Sequence, residues 1–280
     1  MSKDGFDWAE EALDLTKAAQ SDAEFYALIA GELTREGHRI AVDFGCGGGG
    51  MAVALRDSYR ADGHDAQVVG LDAHPEVFEA TQRDNPDIRF AKASFEDSPE
   101  QIREACGGAP DLIWARGAIH HADDEQEAIH VLAGALAPGG VLALNEGGTS
   151  VAHMPRHVGL GKPGLHFRLY AAMNASAEEK MADLNPMPYG WLTGMRKAGL
   201  ENAFTRNVLY DKPAPLAGAD MDHVLGKLEK QVGWAEEFLA DEDLAAWKRL
   251  LDSDNDAWLG HRDDLFYLAA NSVHIATKPR

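Results

Sequence analysis

Five glycines among the six residues from Gly45 to Gly50 constrain this chain more than any other feature. The run before them, Arg39-Ile40-Ala41-Val42-Asp43-Phe44, suits a strand buried on both faces. Residues from Met51 to about Tyr59 have helical spacing. Glycines at such a strand-to-helix turn let the backbone approach a ligand closely and aim helix N-terminal N–H groups at it. Two glycine registers are available, Gly45-Gly47-Gly50 and Gly45-Gly47-Gly49, and the loop alone does not choose between them.

The alternation continues downstream. Strands are expected at 67–72, 87–91, 111–115 and 141–145, with helices at 75–84, 99–105 and 125–136 between them. Strands alternating with helices imply right-handed βαβ units and a mostly parallel, doubly wound α/β sheet. A helical segment is expected over 7–36. After 147 the pattern loosens, with a helix at 176–184, a strand at 201–210, helix around Trp234 to Leu250 and a last strand at 266–278. The expected organisation is a helical cap (1–38), a ligand-binding core (39–147), a covering insertion (148–198), and C-terminal strands with a helical insertion (199–280) that complete the same domain.

Charge narrows the partners. The formal net charge is -20, from 26 basic and 46 acidic residues. No Lys/Arg cluster offers the basic stripe that phosphate neutralisation requires, so nucleic acid is not an expected partner. No run approaches the roughly 18 apolar residues of a membrane span, and the N-terminus lacks a signal-peptide core. A cytoplasmic protein with no membrane partner is expected, with Cys46 and Cys106 reduced. A homodimer is compatible with these features.

Asp72 ends the second strand, where a carboxylate can accept two hydrogen bonds from a ribose diol; Ala73 follows it. Asp43 sits two residues before Gly45. An acidic group there suits a ligand carrying a sulfonium and an ammonium, and beside a pyrophosphate it would repel. Ser94 and Phe95 follow the third strand, placed to bond and flank an adenine ring. Leu136-Ala137-Pro138-Gly139-Gly140-Val141 introduces the fifth strand.

As an ordered set over residues 36–146, these features resemble the class I, Rossmann-like S-adenosylmethionine-dependent methyltransferases, and their look is similar to that of bacterial natural-product enzymes. Ala41 to Gly50 is similar to the family's first motif, Gly70-Leu71-Asp72 to its second, and Asp111 to His121 to its fourth. The resemblance implies a seven-stranded sheet in the order 3-2-1-4-5-7-6 with the last strand antiparallel. It implies S-adenosylmethionine as cofactor and S-adenosylhomocysteine as product. It would put Gly45, Gly47 and Gly49 against the methionine portion, Asp43 near the ammonium, and Asp72 on the ribose. Ser94 and Phe95 would lie at the adenine, and Ala115 and Arg116 on the sulfonium side. The family often has Asp where Ser94 stands, and a hydroxyl is a weaker acceptor.

Methyl transfer from a positive sulfur needs a positioned nucleophile and often a base. His120 and His121 follow the fourth strand, on the edge where open α/β sheets bind ligands, and Glu146 lies just past the fifth; these are the candidate catalytic residues. Adjacent histidines should diverge, and Asp123 and Asp124 read as helix N-caps, so no metal is expected. His153, His157 and His166 individually read as surface residues of the covering segment, with Pro155 breaking any helical pair. Phe6, Trp8, Phe25, Tyr26, Phe167, Tyr170, Trp191, Trp234, Trp247 and Trp258 supply core and a subset for an apolar pocket. The expected acceptor is a small aromatic or heterocyclic natural product, including indole C3. Two other readings remain: an NAD(P)-dependent oxidoreductase, against which stand Asp43 and the missing Tyr-x-x-x-Lys pair, and a non-catalytic S-adenosylmethionine-binding protein.

Overall fold

A computed structural model describes residues 8–148, 151–180 and 185–280. Phe6 and residues 181–184 of the expected 176–184 helix lie outside them. Two helices come first, α1 (Trp8–Ser21) and α2 (Ala23–Leu33), where the sequence suggested one helical stretch; the break falls at Asp22. Then follow β1 (Ile40–Phe44), α3 (Gly50–Ala61), β2 (Gln67–Asp72), a 3-10 turn at Pro75–Val77 and α4 (Glu79–Asp84). β3 (Arg89–Lys92), α5 (Pro99–Cys106), β4 (Leu112–Arg116), a 3-10 turn at Ile119–His121, α6 (Glu125–Ala135) and β5 (Val141–Gly148) complete the regular alternation. Beyond it lie α7 (Leu165–Lys180), α8 (Trp191–Lys197), β6 (Glu201–Lys212), α9 (Gly218–Trp234), α10 (Asp241–Leu251) and β7 (Tyr267–Thr277).

The sheet has seven strands in the order β3-β2-β1-β4-β5-β7-β6, the order expected. β1 through β5 pair in parallel. β7 runs against β5: at one end the Lys278 N–H donates to the Gly140 carbonyl and the Gly139 N–H to the Lys278 carbonyl, and at the other the Asn145 side-chain amide donates to the Ser272 carbonyl. Both faces of the central strands are covered, so they read as continuous apolar runs. Val42, Phe44, Ile113 and Ala115 face the core that includes Ile129, Leu132 and Met195. Trp114, fully buried on the opposite face, meets Phe25 of α2 at 6.5 Å between ring centroids.

The chain divides into two compact units. One comprises Met1–Gly147, Asn185–Arg206 and Ser272–Arg280; the other comprises Gly148–Leu184 and Asn207–Asn271. The second unit has its own core, built from Leu165 and Leu169 of α7, Val224 and Leu228 of α9, and Trp247 and Leu250 of α10. Helix α7 begins at Leu165, eleven residues (176 − 165) before the expected start. His166 and Leu169 already point inward there, so that the apolar face was masked in the sequence by polar residue types. Among the described residues no helix is long and apolar enough to cross a membrane.

Candidate functional site

In the first unit, a cavity of about 430 Å³ opens at the C-terminal ends of β1, β2 and β4. Parallel α/β sheets bind ligands at this edge, because strand ends and helix N-termini converge there. Gly45 and Gly47 form its floor with φ of +69° and +46°, values that glycine adopts freely and L side chains rarely do. A Cβ on Gly45 would lie 2.5 Å from the Ala118 Cβ. That closeness brings the first loop against the loop after β4.

Asp72 is the clasp of this loop. Its Oδ2 accepts from the Gly47 N–H at 3.0 Å and its Oδ1 from the His74 N–H at 3.0 Å. Burial raises its carboxyl above the usual range against the pull of these two donors. A carboxylate has about four lone-pair sites, so acceptor capacity is left for a diol. Ala73, Ser94, Phe95, Arg116 and His121 also line the cavity. Ser94 is tied down locally, its N–H donating to Asp97 Oδ2 at 2.7 Å and its Oγ accepting from Glu96 N at 3.2 Å. Phe95 packs on Phe44 with ring centroids 4.8 Å apart.

Other predicted residues stand behind the lining. Asp43 is 3% exposed, and its Oδ2 accepts from the Ala52 N–H at 2.9 Å, in the first turn of α3. Desolvation pushes its carboxyl up to about 8, only partly opposed by that N–H. Gly49 and Ala115 do not line the cavity; Gly49, at φ +73°, caps α3, and Ala115 is fully buried in β4. Arg116 reaches back to Asp22 at 2.9 Å, with its guanidinium over the Phe25 and Tyr26 rings. It thereby fastens the N-terminal helices beside the site.

Glu146 and His120 form a pair behind His121. Glu146 Oε1 accepts from the N–H groups of Ala118 and Ile119, both at 2.8 Å, and its Oε2 accepts from His120 Nδ1 at 3.0 Å. Burial lowers the His120 pKa and Glu146 raises it further, leaving it above the ordinary histidine value. His274 adds an outer support. Its Nε2 meets the Glu146 carbonyl at 3.1 Å and must carry the proton there, because a carbonyl only accepts; its Nδ1 then accepts from the Thr205 hydroxyl at 2.9 Å. The expected divergence of His120 and His121 is not observed. The 3-10 turn compresses their spacing, and their rings lie 4.1 Å apart.

Several lining residues escaped the sequence reading: Leu15 on α1, His74, Glu96, Asp123, Asp124 and Glu127. Leu15 had no local signal, since only folding brings α1 to within 3.7 Å of a Cβ on Gly47. Asp124 does cap α6, accepting from Glu127 N at 2.9 Å. Five carboxylates therefore border the cavity, Asp72, Glu96, Asp123, Asp124 and Glu127, against one arginine that already faces Asp22.

With this geometry in place, the comparisons are specific. The family model described as a methyltransferase domain matches residues 42–142. Over this stretch the chain resembles a methyltransferase domain. The match runs from within β1 to the first residues of β5, and takes in the glycine loop, Asp72, Ser94, Phe95 and His120 and His121, but not Glu146. A trans-aconitate 2-methyltransferase from Methylobacterium radiotolerans is 36% identical over 110 residues, 39% of this chain and 38% of that protein. One from Variovorax paradoxus is 38% identical over 103 residues, 37% of this chain and 36% of the relative. One from Delftia acidovorans is 27% identical over 195 residues, 67% of this chain and 68% of the relative. The chain thus spans well under half the length of the first two relatives.

Proposed function

We propose that this chain transfers a methyl group from S-adenosylmethionine to a small-molecule acceptor. The observation that carries the proposal is the cavity's composition: bare loop glycines on the floor, Asp72 on the second strand, and five bordering carboxylates. Such a site attracts a nucleoside that bears a sulfonium and an ammonium, and it repels a pyrophosphate. This disfavours the nicotinamide reading.

The donor set fits the cofactor. Asp72 would take the ribose hydroxyls, Gly45 and Gly47 would lie against the methionine portion, and Ser94 with Phe95 would flank the adenine. When bound, S-adenosylmethionine supplies an activated methyl on a positive sulfur. The chain's own residues then exclude water and hold the acceptor. His121 borders the cavity as a proton acceptor, and Glu146 orients its neighbour His120 for the same task.

Two acceptor classes follow from different observations. The aromatic supply of the sequence suggests a flat aromatic or heterocyclic compound, including indole C3. The 27% identical relative, aligned over 67% of this chain, is named for an unsaturated tricarboxylic acid and suggests a small carboxylic acid instead. The test has two stages. Calorimetry with S-adenosylhomocysteine and with NAD decides the cofactor. Mass spectrometry with deuteromethyl-labelled cofactor then follows label into tryptophan-derived indoles or into tricarboxylic acids. Binding of NAD alone would refute the proposal.

A further inference from the structure

The second compact unit holds a cluster of basic side chains remote in sequence from the glycine loop. His153 is fully buried, and neither of its ring nitrogens has a hydrogen-bond partner. His166 on α7 is 7% exposed, and its Nε2 is likewise unpartnered. The two rings lie 5.3 Å apart. Tyr267 packs on His153 at 5.3 Å and on His223 of α9 at 5.8 Å, and the Lys227 Nζ approaches the Tyr267 hydroxyl at 3.4 Å.

A buried imidazole with no partner has given up its hydrogen bonds to water and gained none in return. Native interiors rarely tolerate this without an occupant. The charges around His153 indicate its sign: the groups acting on it are His166, Lys227 and His223, every one basic. Other titratable groups among the described residues here include Tyr170 on α7, which donates to the Val151 carbonyl, and Tyr210 on β6, which lies beside the paired Lys212 and Asp220.

We propose that His153, His166, His223 and Lys227 form a binding site for the carboxylate group of a small molecule. The inference concerns binding alone and does not depend on the transfer reaction. Burial, with the neighbouring basic groups acting in the same direction, holds His153 down at about 3, and burial holds His166 at about 4, so both are neutral near pH 7 when the site is empty. An anion placed among them favours their charged forms, so its binding takes up protons. Affinity therefore rises as pH falls, by up to about tenfold per pH unit for each proton taken up.

Acetate is the probe, since it is the recognised group itself. The full chain, labelled with ¹⁵N-histidine, is titrated with acetate between pH 8 and pH 6, with chloride at equal ionic strength as control. The expected result is a saturable shift of the His153 and His166 ring nitrogens toward the protonated pattern with acetate only, tighter at pH 6. Lys227→Met should weaken binding at least fivefold, and His153→Phe should abolish it. Because His153→Phe can disturb folding, S-adenosylhomocysteine binding is measured on each sample. Identical effects of acetate and chloride, or no movement of either histidine, would overturn the inference. Loss of S-adenosylhomocysteine binding in wild type, with the acetate response intact, would count against the transfer reaction and leave this site standing.

Discussion

The Asp72 carboxylate and the Gly47 backbone N–H meet at 3.0 Å, so the side chain that ends β2 clasps the loop that leaves β1. One carboxylate thus shapes the floor of the cavity and keeps acceptor capacity to spare. Asp72→Ala removes both. The variant should weaken S-adenosylhomocysteine binding by about 10- to 150-fold, the worth of roughly 1.5–3 kcal/mol for a hydrogen bond to a charged group. Isothermal calorimetry measures this, and an unchanged Kd would remove Asp72 from the ribose.

Gly45→Ala tests how tightly the two loops meet. The alanine would sit at φ +69° with its Cβ 2.5 Å from that of Ala118. The left-handed backbone costs about 1–2 kcal/mol and overpacking about 1–3 more. A lower Tm together with weaker cofactor binding is expected; Gly63→Ala, at φ +72° with open space around it, should show the backbone cost only.

Asp43 should reveal itself in the pH dependence of stability. Its carboxyl rises from the unfolded value near 3.8 to about 8 in the folded chain. The folded state then binds more protons between those values, so this group's contribution is fully present below about pH 4 and is lost as pH rises toward 8. Asp43→Asn keeps an oxygen for the Ala52 N–H and cannot titrate. Denaturant unfolding from pH 5 to pH 8 should show wild type losing stability relative to the variant. Parallel curves would refute the burial argument.

The histidines divide binding from turnover. His121→Ala should lower kcat by about a hundredfold or more if this ring takes the acceptor's proton, with the Kd for S-adenosylhomocysteine within about threefold of wild type. Full activity in both His121→Ala and His120→Ala would leave the reaction without a histidine base.

Glu146→Gln weakens a different element. It replaces the charged acceptor of two buried N–H groups, at Ala118 and Ile119, and the anion that raises His120. NMR titration should find the His120 pKa lower in the variant. With the folded value above the unfolded one, the pair's stabilisation is present below about pH 6.5 and lost as pH rises through the folded pKa. The Tm difference between wild type and variant should therefore shrink at alkaline pH.

The sequence by itself determined the alternation of strands and helices from β1 to the start of β5, because the central strands are apolar on both sides and helices such as α3, α5 and α6 are apolar on one. It also determined the loop, since a left-handed backbone at Gly45 and Gly47 has few alternatives to glycine. That Asp72, the last residue of β2, and Ser94 and Phe95, just past β3, line the cavity was legible locally, because strand ends of a parallel sheet converge on one edge.

Tertiary structure decided the rest. That Asp43 stands behind the floor rather than on it depends on which face of β1 the α3 turn covers. Leu15 reaches the loop through the packing of the N-terminal helices on the first unit, beside which Arg116 pairs with Asp22. His153 and His166, polar types in an irregular stretch, read as surface residues, and the second unit folds them into its interior. Local pattern reports the periodicity of burial within an element; which distant elements share a cavity, and with what charge, is set by packing that no short window of sequence contains.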